Sequence, residues 1–242
     1  MTPARYLNRP KALMDYANPD VVMPYGMDAN GIVAAIEDVY SYLFALNHES
    51  IQHGYPRLED LMQPAGYSGL LSNIVVRAMA NAFSSASPGL AVNTHLNGRP
   101  DLIPRALYPN DYALQATEGV EVKTSRFKSG WQGHNAEAGW ILIFQVDVDI
   151  ETMPIYNRRP TEVVRVMIAR LELSDWTFSG RSETSRRTPT ASINPSGKAK
   201  LEAGAVYDRA NAPQPGGLFS AAPVSGLLPM PPKRTRRPTR SR

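Results

Sequence analysis

The sequence predicts an α/β (α+β) domain, in which helices lead into a central mixed β-sheet that they flank, and three observations carry that expectation. Apolar residues recur at helical spacing through the first third of the chain. Beyond Gly89 the period shortens to strand-like alternation. The stretch 139–149 (GWILIFQVDVD) then has the continuous apolar centre of a strand buried on both faces.

Taken in order, residues 1–27 are rich in Pro, Asn, Asp and Tyr and read as an irregular lead-in. Residues 30–47 place Ile32, Ile36, Val39, Tyr40, Leu43 and Leu46 on one helical face, with Asp28 or Asn30 as cap. A short helix is expected over 56–63, with Pro56 near its first turn. Gly66 to Gly69 reads as loop, and 68–83 as a second amphipathic helix closed by serines and Pro88-Gly89. Strands are expected at 90–96 and 118–125, with an apolar pair in 99–104 and a turn at Tyr108–Asp111 between them. Residues 126–138 form a Gly-rich loop before the central strand. The run 161–173 has β-branched residues and is compatible with strand or helix; it is taken as a strand. Polar and Arg residues dominate 174–210. One domain is therefore expected over 1–210, and 211–242 is expected to be a Pro/Gly-rich linker with a basic, disordered tail.

Composition narrows the chemistry. With 43% hydrophobic and 20% charged residues, the 242-residue chain has enough apolar content for a sizeable core. It contains no Cys, which excludes disulfides, thiolate metal sites and thiol nucleophiles. A three-histidine metal site would consume nearly all of the four His. No apolar run is long enough for a membrane span, and Met1 to Lys11 lacks the apolar core of a signal peptide, so a cytoplasmic protein is expected. Six basic residues and no acid fall between Asn211 and Arg242, so the net charge of +4 becomes −2 for residues 1–210. Nucleic-acid contacts in the body would therefore be local. Phosphate-loop, nucleophile-elbow and HExxH patterns are absent.

The informative residues are Pro100-Asp101 and Glu121-Val122-Lys123. On a strand Glu121 and Lys123 share one face while Val120 and Val122 point to the other, into a core. An acid and an amine on a core strand cost desolvation unless they pair or bind a ligand. If Asp101 lies on the adjoining strand, two carboxylates and an ammonium converge, and a divalent cation would relieve the carboxylate repulsion. All-oxygen ligation suits Mg²⁺, and a lysine beside it can orient water or offset phosphate charge, which is the chemistry of metal-assisted phosphodiester hydrolysis. The alternative is a turn-capping Asp101 with Glu121 and Lys123 on the exposed face of an edge strand. Glu121-Val122-Lys123 is the only D/E-x-K in the chain, and the other Pro-Asp, Pro19-Asp20, has none within reach.

These residues resemble the PD-(D/E)XK signature of type II restriction endonucleases. The resemblance runs over about residues 56–150, and the pattern GRPDLIP…EGVEVKTS…GWQGHN…GW carries it. It implies a restriction-endonuclease-like core and a Mg²⁺-dependent nuclease, with Mn²⁺ able to substitute, often a homodimer acting on double-stranded DNA. It implies Asp101 and Glu121 as metal ligands and Lys123 as catalytic, with a further acid from an upstream helix, Glu59 in preference to Glu37. His134 is a candidate at the scissile phosphate or the attacking water. Gln132 and Asn135 are candidates for reading base edges, and Arg126, Lys128, Arg158, Arg159, Arg181, Arg186 and Arg187 for DNA contacts. A non-catalytic DNA-binding protein on the same fold, and a structure-specific or RNA-directed nuclease with the same centre, are the alternatives.

Overall fold

The apolar stripe expected over 30–47 becomes the buried face of helix α1, Ala29–Gln52. In the computed structural model, which describes residues 4–126, 131–133, 136–178 and 190–211, the Asp28 carboxylate caps this helix by accepting from the Gly31 N–H at 2.7 Å. The described residues fall in one compact unit, Met1–Ala212, and the second unit, Pro213–Arg242, lies outside them. Helix α2 is Leu58–Leu61, and α3 is Pro64–Ala82. Gly66 and Gly69 therefore belong to α3 rather than to a loop. Pro64 opens the helix in its first turn, and burial of Tyr67, Leu71, Ile74 and Val75 offsets the poor helix propensity of the two glycines.

The strands are β1 Leu90–Val92, β2 Leu102–Pro104, β3 Val120–Ser125, β4 Gln132–Gly133 and β5 Gly139–Asp147, then β6 Glu162–Leu171, β7 Trp176–Phe178, β8 Ala191–Ile193 and β9 Ala205–Asp208. Six of them form a mixed sheet in the order β1-β2-β3-β5-β6-β9, in which β3 and β5 are parallel and the other neighbours antiparallel. The apolar run of 139–149 is the interior strand β5, in which every residue from Ile141 to Val146 is buried. The ambiguous run 161–173 is strand β6. The segment 174–210, read only as polar, supplies β7, β8, β9 and helix α4, Pro195–Ala203. Its strands are too short for a periodic signal, and α4 buries only Gly197 and Leu201.

Alternation gives the sheet two different faces. Val120 and Val122 of β3, with Leu142 and Phe144 of β5, pack against α1 and α3 in the larger core. Glu121 and Lys123 are paired in register with Ile141 and Ile143, which join the smaller core on the other face. That second face is covered by α4 and by a three-stranded sheet ordered β4-β8-β7, with Trp131 and Trp176 buried between. Among the described residues no helix is long and apolar enough to cross a membrane.

The approach of β2 to β3 depends on one glycine. Gly119 has φ +145°, and a Cβ there would run into the Leu102 carbonyl oxygen and the Pro100 ring. Gly119→Ala is therefore expected to destabilise the fold by about 1–3 kcal/mol, read as a lower Tm in thermal unfolding. An unchanged Tm would contradict this packing.

Candidate active site

The site forms where β2 stops pairing with β3. Their register contains the pair Leu102↔Val120, and Pro100, which has no N–H, sits just before it. The Pro100 carbonyl accepts instead from the Asn93 side chain at 3.1 Å. The Asp101 carboxylate takes over the next bond to β3, accepting the Val122 N–H at 2.9 Å. Asp101 is thus pinned beside Glu121 and Lys123 by a backbone bond of the neighbouring strand. β3 is an interior strand between β2 and β5, so its charged face is not that of an edge strand.

Lys123 Nζ donates to Glu121 Oε1 at 3.0 Å and lies 3.1 Å from Glu137 Oε2. The other oxygen of Glu137 accepts from Arg99 Nη1 at 3.1 Å. The sequence reading misses Glu137, which lies in the short irregular segment before β5. Its only sequence signal is an acid two residues upstream of Gly139, where the central strand begins. Glu121, Glu137 and Arg99 open onto a cleft of about 350 Å³ that Gln115, Thr117 and Trp140 also line.

Burial and then the neighbouring Glu121 carboxylate push the Asp101 carboxyl up to about 6, against the Val122 hydrogen bond and the Lys123 charge. Burial works against the charge on Lys123, but Glu121 and Glu137 outweigh it and hold its pKa above the usual lysine value. Three carboxylates (Asp101, Glu121, Glu137) meet two cations (Lys123, Arg99), so the ionised site carries one excess negative charge. Among the described residues no group of three or more His, Asp or Glu side chains comes together as a metal cage. Asp101 and Glu121 are a pair, and Mg²⁺ is commonly held by one or two carboxylates while it keeps several waters. Two largely buried carboxylates, with Asp101 held beside Glu121 by the Val122 N–H, form an all-oxygen donor pair whose chemistry fits a divalent cation.

The other candidates lie elsewhere. Glu59 is buried on the helix side of the molecule, accepting from Asn47 Nδ2 at 2.9 Å and facing Arg57 Nε at 3.6 Å. Glu37 accepts from the Ala12 N–H and pairs with Arg9 at 3.3 Å. Neither is brought to Asp101 and Glu121. Arg158 is engaged by Asp60 at 2.7 Å, and Arg159 by Asp147 at 3.0 Å. Arg126 lines a surface depression with Asp147 and Arg159, at the opposite end of β3 from Val120. Gln132 is exposed on β4, paired in register with Ser192. Lys128, His134, Asn135, Arg181, Arg186 and Arg187 lie outside the described residues.

The raised pKa of Asp101 has a stability consequence. Folding raises it from 3.8 to about 6, so its contribution is fully present below pH 3.8 and is lost as pH rises through about 6. Asp101→Asn keeps an acceptor for the Val122 N–H and removes the charge. Without divalent cations, its Tm should match wild type near pH 4 and exceed it by a few °C at about pH 8. A wild type that is the more stable of the two at the higher pH would contradict the crowding.

Comparisons of the chain with protein-family models, with curated proteins and with solved structures give no match.

Proposed function

We propose that the protein is a Mg²⁺-dependent endonuclease of the PD-(D/E)XK, restriction-endonuclease-like kind, hydrolysing phosphodiester bonds in double-stranded DNA at specific sequences. The observation that carries the reading is the convergence of Asp101, Glu121 and Lys123 on one face at the β2–β3 junction. Their order, Pro-Asp followed by a strand-borne E-x-K, is that of the resemblance. A cytoplasmic homodimer is part of the proposal, because two-fold symmetry is the simplest way to cut both strands of a palindromic site.

Asp101 and Glu121 would hold the cation, which supplies Lewis-acid activation of water and charge neutralisation at the phosphate. The chain's own residues do the rest. Lys123, kept charged by its carboxylate neighbours, is an electrostatic group rather than a base. It offsets the charge that builds on the phosphoryl oxygens and orients the incoming water. The water oxygen bonds to phosphorus and gives up one proton to solvent, one bridging P–O ester bond breaks, and the departing alkoxide oxygen takes up a proton from solvent. Adding two positive charges to a site with one excess negative charge leaves it complementary to the single negative charge of a phosphodiester.

Digestion of long unmethylated duplex DNA is the test. Wild type should yield discrete fragments with Mg²⁺ and none with excess chelator. Asp101→Ala, Glu121→Ala and Lys123→Ala should each lower the cleavage rate about a hundredfold or more, with Tm measurements showing a folded protein. Retained cutting in all three variants would overturn the site assignment, and wild type that binds duplex DNA without cutting any nucleic acid would favour the non-catalytic reading.

A further inference from the structure

A cation held by Asp101 and Glu121 would weaken the hold of Glu121 on Lys123, whose Nζ donates to Glu121 Oε1 at 3.0 Å. A carboxylate oxygen drawn toward a divalent ion is a weaker partner for an ammonium, and a long lysine left without one gains rotamer freedom. The geometry supplies a second holder. Glu137 Oε2 stands 3.1 Å from the same Nζ, and its other oxygen is fixed by Arg99 at 3.1 Å. Glu137 Oε2 has no hydrogen-bond partner of good geometry among the described residues, so it is shielded from water yet engaged only through the charge of Lys123. Glu137 and Lys123 are similarly shielded, with side chains 16% and 15% exposed, whereas Arg99 is 43% exposed on the cleft wall. Charge attraction is strongest where water is excluded.

We infer that Glu137, itself fixed by Arg99, is the positioning residue for Lys123. The inference rests on the nuclease reading above. Glu137 acts through Lys123 rather than on the substrate, and it is not a ligand of the cation. The Lys123 ammonium is shared between the two carboxylates. With Glu121 drawn toward the cation, the Arg99–Glu137 pair keeps the Nζ over the strand face where the phosphate would lie. Arg99 acts through one charge-assisted hydrogen bond, from Nη1 to the Glu137 oxygen that is not the one beside Lys123.

The test compares full-length wild type, Glu137→Gln and Arg99→Gln by three measurements. Reductive methylation of Lys123, mapped by mass spectrometry with saturating Mg²⁺ and no DNA, reads the contact directly. Loss of the anion beside it lowers the lysine pKa and frees the amine, so methylation should be severalfold faster in both variants. Calorimetric titration with Mg²⁺ should give affinities within about threefold of wild type, whereas loss of a ligand or of a partner oriented on the metal costs tenfold or more. The single-turnover rate of DNA cleavage should fall about 10–100-fold in Glu137→Gln with little change in the half-saturating concentration, and a variant combining Glu137→Gln with Arg99→Gln should be no worse than Glu137→Gln alone. Unchanged methylation, or a tenfold loss of Mg²⁺ affinity in Glu137→Gln, would overturn the inference. Wild type that cuts no nucleic acid would contradict the nuclease reading, and methylation would still decide whether Glu137 holds Lys123.

Discussion

The Asp101 carboxylate accepts the Val122 N–H at the point where β2 leaves the ladder, and the rest of the candidate site depends on that bond. It brings a carboxyl group against an interior strand whose positions on that face are already an acid and an amine. The arrangement is costly, since burial and then Glu121 raise the Asp101 pKa to about 6. A purely structural turn would be better served by Asn at this position, which could accept the same N–H without the charge. Local strain of this electrostatic kind is characteristic of functional sites, where stability is given up for a constellation that a ligand completes.

The two faces of the sheet divide the labour. Val120 and Val122 anchor β3 to the large helical core, so Glu121 and Lys123 are presented from a rigid element rather than a loop. The smaller core, built on Ile141, Ile143 and the two buried tryptophans, covers the rest of that face and excludes water from part of the charged cluster. Glu137 enters from the loop that joins this smaller layer to β5. The site thus draws on the β1–β2 connection, the β3 strand and the start of β5, which only the folded sheet brings together.

What was legible in the sequence follows from what alternation and helical period can encode. Two helices, the central strand and the sharing of one face by Glu121 and Lys123 were all readable, because burial imposes a period on them. Gly66 and Gly69 misled, since a helix anchored by Tyr67 and Leu71 tolerates glycines that composition assigns to a loop. The elements after Leu173 were illegible because strands of three or four residues carry too few positions to show a period. Within the site, nearness along the chain pointed to Glu59, but α2 packs with α1, and its acids are spent on Asn47, Arg57 and Arg158. Glu137 had no periodic signal, because its approach to Lys123 is set by where β5 begins.

The proposal stands on a divalent-cation site formed by Asp101 and Glu121. Thermal unfolding at about pH 7.5 over a Mg²⁺ titration, with Glu121→Gln alongside wild type, tests it most directly. The account predicts a wild-type Tm that climbs with Mg²⁺ as binding to the folded state requires, and a flat response in the variant. A wild-type Tm indifferent to Mg²⁺, or an equal rise in both proteins, would contradict it.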